Sequence, residues 1–290
     1  MMEMDLLTAP VDALTLVDTT HYPIDSPESP VLRDVIARAR AGLERDGCAR
    51  IPGFIRPEVR AQLARETADL SGKALKSCEE YTPYGSGPDH SFPEGHPRRR
   101  PHRTTSGSVT RDLIPPETAI QQLYGSPHLK SFVAACLGAH EIYRFADPMR
   151  GLIINTMEKG TVLNWHFDAT EFIVSLMTRR ADAGGRFEYC PNIRAPGAEN
   201  FDDVRGVLDG KRDEVKVLNL KVGDLQIFKG RYSLHRVMPI TRGVRDTVIF
   251  GFSRKPGFIG SVESTKRVYG RVMQAHIDAE NQHHSDGLAD

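Results

Sequence analysis

Three side chains in this sequence have the types and spacing to hold one metal ion. His166 and Asp168 lie two apart in LNWHFDATEF (163–172), a stretch that otherwise reads as strand. Side chains two apart on a strand share a face, roughly 6.6 Å apart along the chain. An imidazole and a carboxylate so placed can converge on one ion; a salt-bridged surface pair is the plain alternative. A third ligand must come from elsewhere, and His235, in GRYSLHRVMP on another strand-like segment, is the best placed. Two histidines and one carboxylate on one face of an octahedron leave the remaining coordination positions open.

A second pair sharpens the pattern. KVGDLQIFKGRYSLHRV reads as turn, strand, loop and strand, and Arg245 follows His235 by ten residues, with Thr247 two further on in GVRDTVIF. An arginine and a hydroxyl on one strand face form a clamp for a carboxylate. Triad plus clamp is what a chelating keto-acid cosubstrate requires. A zinc hydrolase also uses two histidines and an acid, but it leaves the clamp unexplained. A non-catalytic metal- or ligand-binding protein has no need of Arg245 either.

The elements that must position these residues fall into two parts. Residues 1–28 form an irregular lead-in, ending in the Pro- and Ser-rich HYPIDSPESP. Pro30 then opens a helix in which Val31, Leu32, Val35, Ile36, Ala39 and Leu43 recur at helical spacing before Gly47. CARIPGF is a short strand, RPEVRAQLARETADL a second helix, and PETAIQQLYGS and PHLKSFVAACLG are helical. Between them residues 82–108, rich in Gly, Pro, Ser, His and Arg, have no periodicity and read as one long loop, a lid or a disordered segment. From residue 141 short strands rich in β-branched and aromatic residues follow one another, the pattern of a sandwich or barrel. An excursion at 191–214, with a helix at 200–209, interrupts them, and 262–282 reads as one or two short helices. A single domain over 29–290 is expected: a helical part at 29–140, a β core at 141–255 and a helical tail at 256–290.

Bulk properties narrow the function. Lys plus Arg and Asp plus Glu both count 38 in 290 residues, so nothing favours nucleic acid or an anionic membrane. The N-terminus is acidic, with no basic segment before an apolar run, which argues against a signal peptide. No stretch approaches the roughly 18–20 apolar residues of a membrane span. Four scattered cysteines form no CxxC pair, so a cysteine zinc site is not expected and a reduced cytoplasmic protein is.

The pattern HxD, distal His, then Arg-x-Thr resembles the iron(II)/2-oxoglutarate-dependent dioxygenases. That resemblance covers 141–255 closely and GCARIPGF with its flanking helices more loosely. It implies a mainly β fold with flanking helices around a double-stranded β-helix, a cupin-like jelly roll. It implies that His166, Asp168 and His235 hold Fe(II), while Arg245 and Thr247 bind the far carboxylate of 2-oxoglutarate. O2 then oxidises a C–H bond of a small-molecule substrate, with succinate and CO2 as co-products. WHFDATEF, GGRFEYCPNIR, GRYSLHRV and an upstream HPRR further resemble the branch of carrier-free amino-acid halogenases and their hydroxylase relatives. In the halogenating members Gly or Ala replaces the acid and chloride takes its place. Asp168 departs from that, so the resemblance implies a hydroxylase, or a desaturase, acting on a free amino acid or derivative; a radical halogenase is the rival.

Further substrate contacts are proposed from position alone. Arg231 is either a pocket carboxylate contact or a solvated turn arginine. His96 lines the pocket if the loop closes, or else lies on the surface. Tyr143 and Asn155 alternate with apolar neighbours and can face the pocket. Asp147 and Arg150 hold polar substrate groups or stabilise a turn. Arg98, Arg99, Arg100 and Arg103 form a basic cluster that either steers an anion or is a solvated charge run.

Overall fold

The computed structural model describes residues 12–283. The larger of two antiparallel sheets runs in the order β1 (Cys48–Ile51), β11 (Leu225–Phe228), β7 (Ile173–Arg179), β14 (Arg245–Phe250), β5 (Leu152–Met157), β3 (His102–Thr110) and β2 (Leu75–Tyr81). The smaller runs β10 (Lys216–Leu218), β9 (Phe187–Cys190), β12 (Leu234–Val237) and β6 (Leu163–His166). Two ribbons, β4 (Tyr143–Arg144) with β15 (Phe252–Ser253) and β8 (Ala183–Gly184) with β13 (Ile240–Arg242), complete the β structure. This is a double-stranded β-helix with helices packed outside.

Strand alternation divides the larger sheet into a wet and a dry face. Asn155, Ser175, Gln226, Arg245 and Thr247 point toward the smaller sheet. Their neighbours Ile154, Val174, Leu176, Leu225, Ile227, Val248 and Phe250 are buried against the helices in the main core. That helical layer contains α2 (Pro30–Asp46), α3 (Pro57–Ser71), α4 (Ala119–Gly125) and α5 (Pro127–Cys136). Helix α2 starts at Pro30 and ends at Gly47, whose left-handed φ of 62° lets its N–H cap the Leu43 carbonyl. Its buried stripe is Leu32, Val35, Ala39 and Leu43; Val31, expected within that stripe, is 51% exposed because the helix presents it to the solvent side. The expected irregular lead-in is partly ordered. Within it, α1 (Ala13–Leu16) is capped by Asp12, and Val17 bridges Ile55; residues 1–11 lie outside the described residues.

The loop expected over 82–108 is shorter than its composition implied. Residues 102–110 form β3, which joins β2 to β5 across seven and four paired positions. Thr104, Thr105, Val109 and Thr110 favour a strand, and the Ser and Gly between them, which do not, are held by the ladder on both sides. The remaining segment folds onto α6 (Phe201–Leu208). Phe92 stacks on His96 at 4.1 Å, His96 lies 4.5 Å from Phe201, and the Arg98 guanidinium sits 5.0 Å over Tyr84. Arg99 donates to the Phe92 carbonyl, Arg100 pairs with Asp209 and Arg103 donates to Cys78 Sγ. Three members of the basic cluster thus have polar partners, and Arg98 packs on aromatic rings.

The C-terminal helices α7 (Val262–Tyr269) and α8 (Gln274–His283) are fastened through Asp147 and Arg150. Asp147 is fully buried. Its Oδ1 accepts from the N–H groups of Met149 and Arg150 at 2.8 and 2.7 Å, and its Oδ2 from Gly260 N–H at 2.9 Å. His276 Nε2, also fully buried, lies 3.3 Å from the same Oδ2. Arg150 donates to Ser264 and Thr265 and lies 5.4 Å over the Tyr269 ring. Both residues are therefore structural. Among the described residues, no helix is long and apolar enough to cross a membrane.

Removing one member of a buried charged network costs roughly 3–5 kcal/mol, because the other members lose their partner. Asp147→Ala is expected to lower the unfolding free energy by about that amount in urea titration. An unchanged midpoint would rule out the anchoring role.

Candidate metal centre

The centre lies between the two sheets. Strand pairing sets His235 directly opposite His166, with ring centroids 4.1 Å apart. The register of β6 on β12 then slips: Val237 pairs with Leu163, so β6 carries one extra residue. Such a bulge re-aims side chains, and here Leu163 and His166, three apart, both face the cavity. Strand β6 ends at His166, so Asp168 is not on the strand as the alternation argument assumed. It lies in the following coil, held by a 3.1 Å hydrogen bond from its N–H to the Gly230 carbonyl. Ligand atoms of His166, Asp168 and His235 fall within 4.8 Å of one another, the one such group among the described residues. Asp168 Oδ1 lies 3.8 Å from His166 Nε2 and 3.5 Å from His235 Nε2.

Both imidazoles are oriented by a carbonyl two residues upstream. His166 Nδ1 is 2.7 Å from the Asn164 oxygen, and His235 Nδ1 is 2.9 Å from the Ser233 oxygen. A proton on each Nδ1 makes that contact a hydrogen bond and leaves the Nε2 lone pair free, the form a metal ligand needs. Burial, with His235 beside it, pushes the His166 pKa down to about 4, so the ring stays neutral near pH 7. Burial alone would raise the Asp168 carboxyl; the two imidazoles beside it, His235 foremost, hold it below its ordinary value. Asp168 Oδ2 is buried with no hydrogen-bond partner. Two imidazoles that turn Nε2 toward an acid with an orphaned oxygen fit a divalent cation.

The clamp residues share this cavity, which measures about 160 Å³ and is lined by both sheets. Arg245 is 5% exposed, and no carboxylate forms an ion pair with it among the described residues. Burial pulls its pKa down to about 10, with Asp246 acting the other way, so it remains cationic at neutral pH. Thr247 Oγ1 is also buried without a partner. A guanidinium and a hydroxyl, both desolvated and unanswered by protein, fit an anionic ligand.

The other expected contacts divide. Asn155, paired with Thr247 across β5 and β14, lines the cavity. Tyr143 does not: its hydroxyl donates to Glu141 at 2.8 Å, and Lys130 lies over its ring. His96 does not either, since the loop that carries it packs on α6. That helix covers Trp165, Phe167 and Leu234, which alternate with the ligands and so face outward. Arg231 is exposed, and its Nη1 donates to the Ala169 carbonyl at 3.0 Å. Of the neighbours of the HxD pair, Asn164 supplies the orienting carbonyl, while Glu171 pairs with Arg254. Sequence reasoning missed Ser175 and Gln226, joined by a 3.1 Å hydrogen bond within the cavity wall. Their signal was a polar residue in the inward register of otherwise apolar strands.

The halogenase D (HalD) family model matches residues 31–270. No curated protein matches the chain. Among solved structures, a prolyl hydroxylase bound to a hypoxia-inducible-factor peptide fragment, from Trichoplax adhaerens, is 13% identical with a TM-score of 0.51, covering 86% of this chain and all of that one. AviO1 from Streptomyces viridochromogenes is 18% identical with a TM-score of 0.50, covering 76% and 95%. The epimerase SnoN, in complex with Fe3+, alpha ketoglutarate and nogalamycin RO, is 13% identical with a TM-score of 0.50, covering 76% and 84%. At these identities the likeness is one of fold.

Arg245→Met removes a buried charge that no protein group answers. The ligand-free variant is expected to melt above the wild type, by about 2–4 °C for each kcal/mol recovered, and to lose the thermal shift that Mn(II) with 2-oxoglutarate produces. A lower melting temperature with the ligand shift intact would make Arg245 a structural residue.

Proposed function

Because the chain belongs to the halogenase D family, we infer that it is an iron(II)/2-oxoglutarate-dependent oxygenase, and that it hydroxylates a C–H bond of a small polar substrate such as a free amino acid or derivative. The observation that carries this reading is Asp168, a carboxylate between two metal-facing imidazoles at the position where halogenating members have Gly or Ala. His166, Asp168 and His235 would hold Fe(II). When bound, the iron and the keto acid together supply dioxygen activation and oxidising power, with succinate and CO2 as co-products.

The chain's own residues do the rest. Arg245 and Thr247 receive the far carboxylate of 2-oxoglutarate, and the pair's burial strengthens that contact over its value in water. Asn155, Ser175 and Gln226 offer polar contacts along the cavity wall. Leu163, Ile173, Phe187, Phe228, Val237 and Ile249 line the remainder and exclude water. A cavity of about 160 Å³ is small beside the roughly 300–1,000 Å³ of pockets for drug-sized ligands. It suits the cosubstrate, which places the substrate at its mouth.

Halogenation is the rival reading, and the family's name favours it. The carboxylate of Asp168 stands against it, because it takes the place that a halide would need.

The test incubates the Fe(II)-loaded protein with 2-oxoglutarate, O2, chloride and individual amino acids, reading succinate and product mass. Substrate-dependent succinate with one added oxygen atom is expected. A chlorinated product would decide for the halogenase. Asp168→Gly is expected to abolish oxygen insertion; undiminished hydroxylation in that variant would remove Asp168 from the metal.

A further inference from the structure

The segment between β11 and β12 is a tight turn in which the N–H groups of Tyr232 and Ser233 both bond to the Lys229 carbonyl, at 3.1 and 3.2 Å. It touches the metal centre at two points. The Ser233 carbonyl orients His235, and the Gly230 carbonyl accepts from Asp168 N–H. It is also held from behind. Lys229 N–H donates to the carbonyl of Gly47, the cap of α2, at 2.8 Å, and Ser233 Oγ accepts from Asn192 N–H at 3.0 Å. Arg231, whose role the sequence left open, reaches across to the Ala169 carbonyl. The stretch 168–169 is therefore tied to 230–231 by one bond in each direction.

The side chain missing at Gly230 makes the arrangement possible. A Cβ built there would overlap Asp168 Oδ2 outright and lie 2.5 Å from Asp168 Cγ and 3.1 Å from its Cβ. No unusual backbone angle accounts for this glycine, since its φ is outside the left-handed region. The carboxylate occupies the space that a side chain would fill.

We infer that the Lys229–Ser233 turn is the positioning element of the metal centre, and that Gly230 determines whether residue 168 can present a carboxylate to the metal. This deepens the proposed function and rests on Asp168 being a ligand. The colliding atoms are the free end of a rotatable side chain, so a methyl group at 230 is relieved by swinging the carboxylate away. The fold survives, and the ligand is lost from its position. Arg231 acts in the same direction by holding Ala169, and so the chain just past Asp168, against the turn.

The experiment measures cobalt(II) binding by visible absorption in the full-length wild type, Gly230→Ala, Asp168→Gly and the double variant, with a thermal melt of each. Gly230→Ala is expected to weaken cobalt binding about 10–100-fold where Asp168 is present. It should change binding less than about twofold where Asp168 is absent, because the two substitutions then remove the same contact. Arg231→Ala, at an exposed position, should repeat the pattern at smaller amplitude, and it decides the matter if Gly230→Ala does not fold. Wild-type affinity in Gly230→Ala, or equal weakening in both backgrounds, overturns the inference and leaves the metal assignment standing. Undiminished affinity in Asp168→Gly alone overturns both.

Discussion

A carboxylate must lie between two imidazoles in a buried space between two sheets, and much of the surrounding structure follows from that requirement. Burial opposes the charge on Asp168, and the paired histidines offset it. To hold a metal the histidines must be neutral rings with Nε2 free, which puts their protons on Nδ1 and calls for an acceptor there. The fold supplies one from the backbone at each ring, the carbonyls of Asn164 and Ser233. Backbone acceptors add no further charge to a buried site, whereas carboxylate partners would have to be neutralised in turn. Between Asn164 and His166, Trp165 turns outward by alternation and lies under Arg236 at 4.5 Å.

What could be read from the sequence was what depends on local period. Arg245 with Thr247 is a spacing of two on one strand, and the limits of α2 follow from a proline and a glycine; His166 and Asp168 converge too, but through the coil after β6 and not by strand alternation. The distal histidine was found through chemistry, since a metal needs a third ligand; no periodicity links residues 166 and 235. The illegible features are those that one chain segment imposes on another. Strand β3 mixes Thr and Val with Ser, Gly, His and Arg without a clear alternation, and β2 and β5 on either side hold it. The segment carrying His96 resembled a lid in composition, yet Phe201, far along the chain, draws it to the outer face. Tyr143 failed for a related reason: its strand lies in a two-residue ribbon, outside both main sheets. Gly230 lies in the stretch read as a loop, and nothing local marks it, because the group it makes room for is distant in sequence.

The clamp strand shows how a buried cation is held without a protein counterion in contact. Arg245 and Asp246 are adjacent and therefore point to opposite faces of β14. Asp246 goes to the helical side, where Arg179 Nη2 lies 2.8 Å from its carboxylate and burial raises its pKa. Its backbone carbonyl accepts from Thr178, whose hydroxyl accepts in turn from Thr67 of α3. The strand is thus fastened to the helix layer by polar contacts on one face while the other keeps a guanidinium unanswered. Were a carboxylate within reach on the cavity side, it would bind Arg245 permanently and compete with any anionic ligand. Sending the neighbouring acid through the sheet leaves the cation available, and its field still opposes the fall in the Arg245 pKa. A cavity that holds an unanswered guanidinium is for this reason less stable empty than a purely apolar cavity of the same shape. Its instability is confined to one face of one strand, where an anion bound to the folded state would offset it.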